Sequence, residues 1–190
     1  MSRQEEKKRR AIEATLALCV KHSYHGTSMD TITAATGMSK ATIYRHFGSK
    51  EALIAEALAL YSEQTISQLT QLFHDPNLSL EEKLTARFTT LEALVEACDF
   101  NGCIYQQAFN EYRHEDERIA DVCVSYKQER IRLVSELLLA HDIKQAKEKA
   151  TRAELVFNGL LASLEMGADP GLLPLAKQMY FEQLQITAPQ

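Results

Sequence analysis

Residues 32–50 read ITAATGMSKATIYRHFGSK, and Ser39, Lys40, Thr42, Tyr44, Arg45, His46 and Lys50 crowd behind a single break at Gly37. These side chains are donors of the kind that nucleic acids accept. Lys and Arg donate to guanine O6 and N7, Thr bonds a base edge or touches a thymine methyl, and the small Ala41 permits close approach. Tyr44, His46 and Lys50 add donors suited to phosphate oxygens. Base reading and backbone clamping share one segment because phosphates set the register and bases carry the sequence.

Enzyme chemistry is poorly supplied by comparison. HEDER at residues 114–118 has Arg118 where a zincin pair needs its second His, and His22 and His25 have no third ligand nearby. The GxSxG, P-loop and GxGxxG patterns are absent. No catalytic residue, metal site or cofactor is therefore expected, and the acidic run reads as solvated charge on a helix. Cys19, Cys98, Cys103 and Cys123 show neither CxxC nor zinc-ligand spacing, so reduced thiols in a cytoplasmic protein are expected. Cys98 and Cys103 are close enough in sequence to form a redox switch, the alternative to two inert thiols. With no apolar run of about 18 residues, neither export nor a membrane span is expected.

The elements that must position the donors are helices. Ile12, Leu16, Cys19 and Val20 recur at helical spacing and predict a first helix over about 5–23. Thr27 and Ser28 offer caps for a second over 29–36, which Gly37 stops, and Ser39 caps a third starting at Lys40. Two short helices joined by a three-residue turn containing Gly form a helix-turn-helix, whose second helix enters the DNA major groove. Ile32, Ala35, Met38, Ile43 and Phe47 are expected to lock the pair. The helix N-termini at Thr27/Ser28 and Ser39 are anion sites in their own right, since their free N–H groups face outward.

Beyond Gly48 and Ser49 a long fourth helix runs to His74-Asp75-Pro76, and the capping box Ser79-Leu80-Glu81-Glu82 opens a fifth that ends near Cys98. Further helices are expected over about 103–112, 116–140, 144–166 and 171–186. No strand pattern survives. The fold class is thus all-α with about nine helices: an N-terminal three-helix helix-turn-helix domain, 1–49, followed by a C-terminal helical bundle, 50–190. Charge follows the same division. Residues 1–50 hold nine Lys or Arg against four Asp or Glu, and residues 51–190 hold twelve against twenty-two, so the formal net charge of −5 conceals a basic head on an acidic body. A nucleic-acid partner and a solvated terminal charge run are both compatible with that asymmetry.

The run GTSMDTITAATGMSKATIYRHFGSKEAL, with Tyr24 two residues before its first Gly, resembles the DNA-binding head of the TetR family of bacterial transcription regulators. Thr27-Ser28, Ile32, Ala35, Gly37, Met38-Ser39, Ile43-Tyr44, His46-Phe47, Lys50-Glu51 and Leu53 carry the resemblance, over about the first quarter of the chain. It implies that Thr27, Ser28, Ser39, Tyr44, His46 and Lys50 contact phosphate or backbone, and that Lys40, Ala41, Thr42 and Arg45 face bases. Ser23 stands where the family often has Gly, and Thr36 where Ala is usual.

The resemblance further implies a body that dimerises through its last two long helices and holds a small-molecule effector between its middle ones. Candidate effector contacts are Phe88, Leu91, Cys103, Tyr105, Gln106, Phe109, Asn110 and Tyr126, each of which has core packing as its plainer role. The apolar stripes of the eighth and ninth helices, including Phe157, Leu160, Leu161, Leu164, Leu175 and Met179, are wide enough for a core, a homodimer interface or both. The function so implied is that of a repressor on a palindromic double-stranded DNA operator, released by a ligand. Two alternatives stay open: a helical protein-interaction module with a basic head, and a thiol-based redox-responsive regulator.

Overall fold

The computed structural model describes residues 3–186; Met1, Ser2 and 187–190, the outer ends of the two expected domains, lie outside the described residues. Those residues form nine α-helices and no strand: α1 (Arg3–His22), α2 (Met29–Thr36), α3 (Lys40–Phe47), α4 (Lys50–His74), α5 (Leu80–Glu96), α6 (Ile104–Tyr112), α7 (Glu117–Ala140), α8 (Ala146–Glu165) and α9 (Leu172–Leu184). The chain divides into two compact units, Met1–Thr65 with Ile104–Tyr126, and Ile66–Cys103 with Lys127–Gln190. Helix α4 passes from the first unit to the second after Thr65, and α7 does so after Tyr126.

In the first unit local chemistry sets the helix ends. The Ser28 hydroxyl accepts the Thr31 N–H and the Ser39 hydroxyl accepts the Thr42 N–H, satisfying donors that the first turns of α2 and α3 leave open. Gly37 closes α2 at φ 67°, returning its N–H to Thr33 O, in a region an L side chain enters only with strain. Thr27 is not the cap that its position offers. It is 0% exposed, and its hydroxyl donates instead to Ser23 O at 2.8 Å. Helix α1 ends one residue earlier than its periodicity predicts because Ser23 turns left-handed at φ 66°. The core of this head joins Ala11 and Ile12 of α1, Ile32 of α2, Ile43 and Phe47 of α3, and Leu53 and Ala57 of α4, with Met38 packed against it. Ala35 lies on the exposed side of α2 and takes no part in locking the pair.

In the second unit α8 packs chiefly on α9, and α5 packs on α9 as well. Phe88 meets Phe157 and Tyr180 edge-on, each at 5.2 Å between ring centroids. Among these rings lies a buried ion cluster. The Arg87 guanidinium donates to both carboxylate oxygens of Glu154 and sits 3.5 Å from the centre of the Phe157 ring, and Arg130 Nε lies 3.9 Å from Glu154 Oε2. Burial pushes the Glu154 carboxyl up, but Arg87, Arg130 and Lys127 together outweigh it and hold the group below its ordinary range. The capping box of α5 forms as its sequence predicts, with Ser79 N–H on Glu82 Oε2 at 2.7 Å and Glu82 N–H on Ser79 Oγ at 3.2 Å.

Candidate nucleic-acid interface

Helix α3 buries Ile43 and Phe47 and turns Lys40, Ala41, Tyr44 and Arg45 outward, with Thr42 and His46 half-buried beside them. An eight-residue helix cannot hide more than one stripe, so the two apolar anchors dictate which side chains face solvent. The capped ends of α2 and α3 repeat one arrangement. Ser28 Oγ lies 2.9 Å from Thr31 Oγ1, and Ser39 Oγ lies 2.9 Å from Thr42 Oγ1, in the matching runs Ser-x-x-Thr. Lys40 Nζ reaches back across the turn to Asp30 Oδ1 on α2 at 2.7 Å, an ion pair open to solvent on both sides. The Asp30 hydrogen bond and charge raise the Lys40 pKa, so this cation stays charged at physiological pH.

Two residues expected to touch phosphate have other work in the structure. Thr27 has no exposed surface, and its hydroxyl donates to Ser23 O. The Lys50 ammonium donates to Tyr24 O at 3.1 Å and Thr27 O at 3.2 Å, fastening the α1–α2 turn. Since an ammonium carries three donors, a single proton remains for an anion. The opposite side of that turn is held by a residue that sequence reading missed. Glu111 of α6 accepts the Tyr24 N–H on Oε1 at 3.1 Å and the His25 N–H on Oε2 at 2.6 Å. A separation of 86 or 87 residues leaves no local signal for such a contact; only the fold brings it about.

The candidate effector residues divide between the two units. Tyr105 and Tyr126 stack in the first unit with ring centres 3.7 Å apart, Tyr61 lies 6.4 Å from Tyr105, and Phe109 is half-buried nearby in sequence. Burial pushes the Tyr105 phenol far up, so it stays protonated. Gln106 and Asn110 are exposed and bond one another at 3.3 Å. Phe88 and Leu91 belong to the buried core of the second unit, whose sequence range also takes in the half-buried Cys103.

The apolar stripes of α8 and α9 divide between core and surface. Phe157, Leu160 and Leu164 are consumed by the core of their own chain, and Leu161 is partly buried against it; only Leu175 and Met179 of the expected set are exposed. The outward face of α8 lies on the other side of the helix, where Leu155 (68% exposed), Gly159, Ala162 and Met166 (89% exposed) follow one another at three- and four-residue spacing. Among the described residues no cluster of His, Cys, Asp or Glu is arranged to hold a metal ion, and no helix is long and apolar enough to cross a membrane.

Residues 11–57, which span this interface, match the sequence profile described as "Bacterial regulatory proteins, tetR family". The uncharacterized HTH-type transcriptional regulator YerO of Bacillus subtilis is 31% identical over 88 residues, covering 44% of this chain and 30% of YerO. The HTH-type transcriptional repressor KstR of Rhodococcus jostii is 35% identical over 65 residues, 34% of this chain and 31% of KstR. The matches thus span less than a third of either relative. In fold, the crystal structure of SCO4454, a TetR-family transcriptional regulator from Streptomyces coelicolor, superposes with a TM-score of 0.82 at 20% identity over 95% of both chains.

Proposed function

Because the chain belongs to the TetR family of bacterial transcription regulators, we propose that it is a sequence-specific repressor, released from a palindromic operator by a small-molecule effector. In this reading residues 1–49 read DNA in the cytoplasm, and residues 50–190 supply the effector and dimer contacts. One observation carries it: α3 turns Lys40, Ala41, Tyr44 and Arg45 outward, with Thr42 half-buried beside them, directly after an N-terminus capped by Ser39 as that of α2 is by Ser28. Capped N-termini attract phosphate and fix register, which leaves Arg45 and Lys40 to read base edges. Repression, rather than activation, is supported by the likeness to KstR, which is named a repressor.

A second copy docking on Leu155, Gly159 and Ala162 of α8, on Met166 just after it, and on Leu175 and Met179 of α9 gives a two-fold dimer. Such a dimer sets its recognition helices about 34–36 Å apart, one turn of duplex, which is what makes the operator palindromic. The stacked Tyr105 and Tyr126, with Tyr61 and Phe109, offer the effector an aromatic environment in the first unit. The effector releases DNA to the extent that it prefers a conformation whose heads do not fit the operator.

The test begins with selection of bound duplexes from a random library, followed by affinities for the winner and a scrambled duplex at two salt concentrations. A palindromic winner preferred at both salts is expected. Arg45→Ala should lose about 1–3 kcal/mol of discrimination at one base position, whereas Tyr44→Ala should weaken all duplexes alike. Equal and salt-sensitive binding to both duplexes would leave only a basic surface and end the operator reading.

A further inference from the structure

We propose that Glu111, on α6, is a positioning residue for DNA binding: its carboxylate fixes the α1–α2 turn, and through it the phosphate-facing N-terminus of α2. The proposal rests on the reading of the head given above. Five backbone N–H groups lie between α1 and the Ser28 cap, and the last four meet acceptors close by. Tyr24 and His25 donate to the two Glu111 oxygens, Gly26 to Ser23 Oγ at 3.0 Å, and Thr27 to Ser23 O at 3.2 Å. The Tyr24 and Thr27 carbonyls accept from Lys50. An anion on one side and a cation on the other therefore hold a segment that forms no helix of its own, and whose next residue caps α2.

Three more contacts tie the same turn to α6. The Tyr24 hydroxyl donates to Ile104 O at 3.0 Å, the His25 ring lies 3.1 Å from Glu111 O through Nε2, and it packs on Tyr112 with centroids 4.6 Å apart. Backbone carbonyls at the start and end of α6, with the Glu111 and Tyr112 side chains, thus converge on residues 24 and 25. Glu111 has the wrong charge to meet a phosphate. If its only influence on DNA were electrostatic, removing it would strengthen binding; if it positions the turn, removing it weakens binding. The sign of the effect separates the two roles.

Affinity for the selected duplex is to be measured for the full-length chain and for Glu111→Ala, Glu111→Gln, Tyr44→Ala and the charge control Glu117→Gln, an exposed position at the start of α7. Glu111→Ala is expected to bind roughly tenfold more weakly, because two charge-assisted hydrogen bonds are lost, and Glu111→Gln, which keeps one acceptor, about threefold more weakly. The slope of log affinity against log salt should stay that of the unmodified chain, since no phosphate contact is removed. Amide exchange should quicken at residues 24–28 while the α8–α9 core stays protected. Glu117→Gln should bind as the unmodified chain does. Equal or tighter binding by Glu111→Ala would overturn the proposal; if that variant does not fold, unchanged affinity and exchange in Glu111→Gln would do so. Should Tyr44→Ala also bind like the unmodified chain, the head reading itself falls.

Discussion

Two glycines near the interface are required for different reasons, and the difference predicts different costs. At Gly37 an added Cβ meets nothing within 4 Å, so only the φ of +67° resists substitution. At Gly26 the added Cβ would lie 2.1 Å from His22 O, a carbonyl at the end of α1. Gly37→Ala should therefore cost about 1–2 kcal/mol of stability, the strain of a left-handed L residue, with DNA binding largely kept. Gly26→Ala should reach or exceed the upper end of the about 1–3 kcal/mol typical of overpacking, and abolish operator binding, because the turn must open to admit it. Denaturant midpoints and operator affinities of the two variants check this ordering. Ser23 shows the same strain tolerated without glycine: it sits at φ 66°, and its hydroxyl and carbonyl oxygens accept three hydrogen bonds from Gly26 and Thr27.

At the scale of elements, helix starts were legible because they are local. Ser28, Ser39 and Ser79 each act within three residues of themselves, and Gly37 needs only its own backbone to end α2. Which face of a helix is buried depends on neighbours far away in sequence. Hence the α8 stripe alone leaves core and dimer interface both open until the chain is seen to bury Phe157, Leu160 and Leu164 itself, and the spacing of Ala35 predicts a core it does not enter. Glu154 escaped notice for a related reason, since a carboxylate within an apolar stripe has no reason to be internal until Arg87 and Arg130 are beside it. The side chain is now 3% exposed and bonded, so Arg87→Ala, which takes away its main partner, should destabilise the chain by about 3–5 kcal/mol. The pH dependence has a fixed sign. With its pKa held below the unfolded value of about 4.3, Glu154 contributes fully above that pH, and the contribution fades as pH falls through the lower folded value. Acid unfolding of Glu154→Gln should accordingly be less steep than that of the unmodified chain, as circular dichroism against pH would show.

For the molecule as a whole, assembly and charge act together. Leu155 and Met166 are large apolar side chains that their own chain leaves uncovered, so Leu155→Glu should abolish a dimer built on that face while costing the fold within about 0.5 kcal/mol. Sedimentation should then report a monomer with native helical content, and operator affinity should fall because one head reads only a half-site. An unchanged dimer would move the interface elsewhere. In the proposed reading, the excess of positive charge in residues 1–50 and of negative charge in residues 51–190 would orient the approach to the duplex, favouring the head.

In the reading proposed above, the ion pair between Lys40 and Asp30 bears on the time the protein spends at each place on a chromosome. The first cation of α3 already has an acidic neighbour on α2, so taking a DNA contact is an exchange of partners rather than a capture. At a wrong site, where nothing else compensates, Lys40 would return to Asp30 and the protein would move on. At the right site, base contacts from the rest of α3 would repay the exchange. One carboxylate would thereby shorten the dwell on unrelated sequence and speed the search.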